Sequence, residues 1–163
     1  KQLTLAARTA AAYAVLSYCG AIFGITYGPI QCRFSEALCV LPFFLPETAW
    51  GLGVGCLIAN LLSPYGVLDI VVGSAATLLA ALLTARCQKK WLAPLPPVIA
   101  NTVLIGLVLA YEQEGTSAAF WPTYAFTALT VGLGEAVACY GLGGLLLWRL
   151  DKRNALQHYL QNR

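Results

Sequence analysis

The stretch LDIVVGSAATLLAALLTA, Leu68 to Ala85, followed at once by RCQKK, Arg86 to Lys90, decides the class of fold. Its eighteen residues carry one charged side chain, Asp69, near the start. That length falls in the range of roughly 17–25 apolar residues that carries a helix across a bilayer, and the three basic side chains after it close the run on one side. The rest of the chain has the same character. Of its 163 residues 59% are hydrophobic and 10% charged, with a mean hydropathy of +0.70, against about 25% charged in an average soluble domain. Such a composition cannot coat an aqueous globule, so an all-α integral membrane protein is expected, with residues 1–163 forming one transmembrane domain.

Breakers and polar clusters divide the chain into six expected spans, at about 3–25, 31–45, 48–62, 68–85, 97–111 and 120–150. Tyr27-Gly28-Pro29, Pro46, Ser63-Pro64-Tyr65-Gly66 and Pro94-Leu95-Pro96-Pro97 punctuate them. Six spans put both termini on one side. Lys1, Arg8, Arg86, Lys89, Lys90, Arg149, Lys152, Arg153 and Arg163 then share that face and leave Arg33 opposite, so the positive-inside rule makes both termini cytoplasmic. The Glu112-Gln113-Glu114 loop faces outward. No internal repeat is evident, which weighs against transporters built from duplicated halves.

A charged group in hydrocarbon costs at least about 2.5 kcal/mol, so each one here is a candidate functional residue. Arg33 and Glu36 open span two, three residues apart and on one helical face. Asn60 ends span three, Asp69 begins span four, Asn101 lies in span five and Glu135 near the middle of span six. Together they outline a polar pocket in the outer half. Structural readings stand beside this one: an Arg33–Glu36 pair locking the bundle, Asp69 capping span four, Asn101 bridging helices. Glu135 is the hardest to explain as structure. Tyr27, Phe34, Phe43, Tyr65, Trp121, Tyr124 and Tyr140 are candidate pocket walls or members of the interfacial aromatic belt.

Missing chemistry narrows the class further. Gly51-Leu52-Gly53-Val54-Gly55 lacks the Lys-Ser/Thr of a phosphate loop, and its Gly51, Gly55, Ala59 spacing reads as a face for close helix packing. No basic run long enough for nucleic acid occurs, and six cysteines without a CxxC pair encode neither a disulfide framework nor a zinc site. No cofactor is expected. Ala6, Ala10 and Ala14 form a second small-residue stripe, on span one, where another helix can approach to backbone contact. Uphill movement of a solute would need energy from elsewhere.

The stretch from Gly28 to Phe44, GPIQCRFSEALCVLPFF, resembles the signature of the QueT family. The resemblance continues through Gly55 to Leu61, Leu68 to Gly73, Pro94 to Pro97 with Asn101, and Val131 to Glu135, with Cys32 and Cys39 as departures. It implies a substrate-binding S component of an ECF (energy-coupling factor) transporter in the cell membrane of a prokaryote. It also implies a ligand among the queuosine precursors, and as partners a coupling protein, EcfT, with two ECF ATPases. On the family's pattern, Ala6, Ala10 and Ala14 meet the coupling protein. Arg33, Glu36, Asn60, Asp69, Asn101, Glu135 and Tyr140 are the expected ligand contacts. A 7-deazaguanine presents ring N–H and amine donors to a carboxylate and a carbonyl to Arg or Asn. The competing classes are an S component for another vitamin, a membrane-embedded enzyme using Glu36 and Glu135, and a non-transporting scaffold.

Overall fold

A computed structural model describes residues 2–24, 33–64 and 66–152. Tyr27-Gly28-Pro29, Cys32, Tyr65 and the tail from Arg153 lie outside the described residues. Within them the chain is helical throughout, with no strand. The helices are α1 (Gln2–Ile22), α2 (Phe34–Phe43), α3 (Thr48–Asn60), α4 (Gly66–Ala85), α5 (Leu95–Glu114) and α6 (Phe120–Lys152). Four of them, α1, α4, α5 with its leading turn, and α6, are long and apolar enough to cross a membrane. Large apolar side chains such as Leu79, Val103, Leu107, Leu129 and Leu133 point outward, 45–62% exposed, as a lipid-facing surface requires.

The boundaries follow local chemistry. Pro96 and Pro97 fall inside the first turn of α5, where a missing N–H costs no helix bond. Gly115, at φ 58°, ends the same helix. Gly66, at φ 70°, opens α4 directly, so the expected turn is shorter than its Ser-Pro-Tyr-Gly composition suggests.

Expected spans two and three need correcting. The second is a ten-residue 3₁₀ helix containing Pro42, which at ~2.0 Å per residue extends about 20 Å. The thirteen residues of α3 also extend about 20 Å at 1.5 Å per residue. Neither alone crosses a hydrocarbon layer of about 30 Å.

Contacts give the helix directions. Gly51 packs on Ala6 and Gly55 on Ala10 and Tyr13, while the Tyr18 hydroxyl donates to Ile58 O, so α1 and α3 run parallel. Between them α2 runs back, from Ser35 beside Ser17 toward Glu47, which accepts from Gln2. The start of α1 shares one end of the bundle with Arg86. Thr84 donates to Ala93 O and Lys90 pairs with Asp151 at 2.6 Å, linking the remaining helices at that end. Arg86, Lys89, Lys90, Arg149 and Lys152 therefore cluster together. The Ser63–Pro64 turn and Glu112–Glu114 occupy the opposite end.

The parallel α1–α3 contact also corrects the alanine stripe. Ala10 and Ala14 are 7% exposed. A Cβ on Gly51 would run into the Ala6 carbonyl, and one on Gly55 would lie 2.7 Å from Ala10 O and 3.0 Å from Ala10 Cα. The two small-residue stripes are each other's partners, because removing side chains from both surfaces lets the backbones touch. Ala6 alone opens outward, into a groove of about 730 Å³ shared with Trp50, Leu82 and Arg86. The exposed face of α1 lies beside the stripe, at Thr4, Ala7, Arg8, Ala11 and Val15.

Candidate functional site: a buried polar cluster

The 3₁₀ winding of α2 sets the site. With three residues per turn, side chains at i and i+3 eclipse, so Arg33, Glu36 and Cys39 stand in one row. All three are buried, at 5%, 0% and 0% exposed. The extended backbone of Arg33 (φ −88°, ψ 104°) begins the row, and the Glu36 N–H bonds back to Arg33 O at 3.0 Å.

Neighbouring helices close around it. Glu36 accepts from the Tyr13 hydroxyl on α1 and from Cys39 Sγ at 2.9 Å. Ser17, one turn after Tyr13, donates to Ser35 at 2.7 Å. Arg33 reaches Asp69 Oδ2 and Asn60 Oδ1, each at 3.4 Å. Asn60 donates to Asp69 O at 3.0 Å, and Ser63 donates to Asp69 Oδ2 at 2.5 Å. Asp69 therefore ties the α3–α4 turn to Arg33 and does not cap α4, which starts three residues earlier. A Cβ at Gly73 would come within 2.6 Å of Asn60 Nδ2, so glycine there is what admits the amide.

On the other side, Glu135 of α6 and Asn101 of α5 are both 3% exposed, and the amide lies close enough to act on the carboxyl. Cys139, one turn later, approaches Glu135 Oε2 at 3.7 Å and donates to Glu36 O at 3.5 Å. Two stretches of π-helix, Asp69–Gly73 and Val137–Gly143, adjoin the site. The wider winding of such segments is common at functional sites in membrane and soluble helices alike.

Six of the seven expected ligand contacts, Arg33, Glu36, Asn60, Asp69, Asn101 and Glu135, thus converge. Tyr140 does not. It is 42% exposed and lines a different groove with Lys90, Trp91 and Trp148, because Glu135 and Cys139 share the buried face of α6 and residue 140 falls on the outer one. Among the aromatic candidates, Trp121 and Tyr124 group with Phe120 at the opposite end from the basic cluster, and Phe43 packs edge-on against Phe44.

Sequence reading missed Tyr13, Ser17, Ser35, Cys56, Thr77 and Cys139. Of these, Tyr13 and Ser17 had a signal, since a phenol and a hydroxyl four apart on an otherwise apolar helix mark a polar face. Cys56, which accepts from Thr77 at 3.3 Å and Asn60 at 3.5 Å, had none.

The arrangement can bind and cannot easily turn over. The carboxylates are held by neighbouring donors and the guanidinium by neighbouring acceptors inside a bundle, a set that can offer acceptors and donors to a polar molecule. Residues 3–152 match the family model described as QueT transporter. The chain is 38% identical over 158 residues to the queuosine precursor transporter QueT of Lactococcus lactis subsp. cremoris (strain MG1363), covering 88% of each chain. No solved structure matches. The family is one of transporters, which removes the embedded-enzyme alternative, and a match across both the α2 row and Glu135 leaves one conclusion: this chain belongs to the QueT transporter family.

Proposed function

We propose that the chain is the membrane-embedded substrate-binding component of an ECF-type transporter, taking up a queuosine precursor of the 7-deazaguanine type. The observation that carries this reading is the convergence of buried Arg33, Glu36, Asn60, Asp69, Asn101 and Glu135 in a chain whose relative is a queuosine precursor transporter. Glu36 or Glu135 takes the ring N–H and exocyclic amine side by side, and Arg33, Asn60 or Asn101 meets the ring carbonyl.

Six helices alternating in direction, four of them long enough to cross a membrane alone, with both termini in the cytoplasm of a prokaryote, complete the proposal. Collection of Arg86, Lys89, Lys90, Arg149 and Lys152 at one end supports the sidedness, and it puts the Arg33–Asp69 pair toward the outside. The sequence has no phosphate loop, so the energy comes from EcfT and two ECF ATPases. With Ala10 and Ala14 taken up by α3, the contact with EcfT passes to the exposed face of α1 at Ala7, Ala11 and Val15.

Binding of a labelled 7-deazaguanine to the purified chain tests the ligand. Displacement by unlabelled 7-deazaguanines, and not by riboflavin, thiamine or biotin, is expected; displacement by one of those vitamins overturns it.

A further inference from the structure

Three buried carboxylates, Glu36, Asp69 and Glu135, stand around one buried guanidinium, Arg33, which is within electrostatic reach of Glu36 and Glu135 as well as of Asp69. Which of them it pairs with decides what is left for a ligand. Arg33 and Glu36 share a row, one 3₁₀ turn or about 6 Å of rise apart, a spacing at which opposite charges on a helix meet. Among the described residues, however, the ion pair of Arg33 is with Asp69. One guanidinium nitrogen lies on Asp69 Oδ2 and the other on Asn60 Oδ1, each at 3.4 Å. That α3–α4 turn is itself built as a unit. Ser63 donates to the same Asp69 oxygen at 2.5 Å, and Asn60 Nδ2 donates to Asp69 O at 3.0 Å. Gly73, which closes the π-helical segment that Asp69 opens, leaves room for the Asn60 amide, since a Cβ there would stand 2.6 Å from Nδ2.

We infer that Asp69 is a positioning residue: with Asn60 and Ser63 it holds the Arg33 guanidinium at the α3–α4 turn and keeps it from closing on Glu36. A carboxylate offers about four lone-pair positions, and Tyr13 and Cys39 occupy two of those on Glu36. A bidentate guanidinium would take the rest. Held apart, the two groups present an acceptor and a donor side by side on one row, Glu36 for a ligand's N–H groups and Arg33 for its carbonyl. Asp69 and Asn60 then act through Arg33 and not on the ligand. This deepens the reading of the chain as a queuosine precursor carrier and rests on it for the ligand. The competing role for Asp69 is direct contact through Oδ1, which has no hydrogen-bond partner and lies against Gly73.

Two measurements on the purified full chain test this, one of them without ligand. The first compares melting temperatures of the wild type, Glu36→Gln, Asp69→Asn and the double variant. With residue 69 neutral, Arg33 moves onto Glu36, so Glu36→Gln should lower the melting temperature more in the Asp69→Asn background than in the wild type. An equal or smaller drop overturns the inference, as does an Asp69→Asn chain that fails to fold, because Arg33 is expected to find a second partner. The second follows 7-deazaguanine binding by calorimetry in Asp69→Asn, Arg33→Gln and their combination. Asp69→Asn should weaken binding about tenfold or more, and adding Arg33→Gln should recover part of that loss by releasing Glu36. Losses that multiply in the combined variant put Asp69 on the ligand, and binding by Asp69→Asn within twofold of wild type leaves Asp69 a structural link alone; either result overturns the inference. If the wild-type chain binds another vitamin and no 7-deazaguanine, the precursor reading fails, and the melting comparison still decides where Arg33 is held.

Discussion

Replacing Gly55 by alanine tests the tightest contact in the bundle with one methyl group. A Cβ built at Gly55 lies 2.7 Å from Ala10 O, 2.8 Å from Tyr13 Cβ and 3.0 Å from Ala10 Cα, whereas carbon neighbours settle at about 3.5–4.0 Å. Two of the three obstacles are backbone of α1, and Tyr13 is 0% exposed, so neither can swing aside. The helices must part by several tenths of an ångström, an overpacking that costs about 1–3 kcal/mol. At roughly 2–4 °C per kcal/mol for a chain of this size, the melting temperature should fall by about 2–12 °C. Reaction of a thiol dye with Cys39, Cys56 and Cys139, all buried and outside any disulfide, follows unfolding in detergent. Gly144→Ala is the counterpart. Nothing lies within 4 Å of its Cβ, and helix propensity favours alanine by up to about 1 kcal/mol, so this variant should melt at or above the wild type. Gly55→Ala melting at or above wild type would refute the parallel α1–α3 packing and return the alanine stripe to an outer face.

Four other expectations follow from the structure. Glu135→Gln keeps volume and replaces an acceptor oxygen by a donor, so affinity for the precursor should drop about tenfold or more with little change in melting; a loss within twofold would make Glu135 structural and leave Glu36 as the ligand carboxylate. Ala10→Trp, aimed at α3, should lower stability and ligand binding together. Ala11→Trp, on the exposed face, should spare both and abolish co-purification with the coupling protein; intact co-purification would remove that face from the partner contact. In a background without native cysteines, an external reagent should modify Glu114→Cys and spare Lys89→Cys, and the reverse pattern would invert the topology.

Much of the architecture was legible because membrane helices announce themselves by apolar length and are punctuated by proline and glycine. Leu68 to Ala85 falls within α4 almost to the residue, and the basic residues gather at one end as their spacing required. The 3₁₀ form of α2 was not legible. Its residues suit either winding, and tertiary packing decides: Val40 and the Ala37 carbonyl lie within 2.9 and 3.3 Å of where a Gly143 side chain would start. That choice matters for the site, since it adds Cys39 to the row that Arg33 and Glu36 begin. Both small-residue stripes were visible, at Ala6/Ala10/Ala14 and Gly51/Gly55/Ala59. What a one-dimensional pattern could not say was that each is covered by the other, because a stripe fixes the closeness of an approach and not the identity of what approaches. The capping alternative for Asp69 fails for a similar reason: position near a helix start is visible in sequence, and a salt bridge to a residue 36 positions earlier is not.

The central claim is that a queuosine precursor is held by the buried cluster between α2, α4 and α6. Photolabelling with an azido-7-deazaguanine, followed by peptide mapping, addresses it most directly. Label is expected on the Arg33–Cys39 row and on Glu135–Cys139, removed by excess unlabelled precursor. Displaceable label confined to the Ala6, Trp50 and Arg86 groove, with none on those two segments, would contradict it.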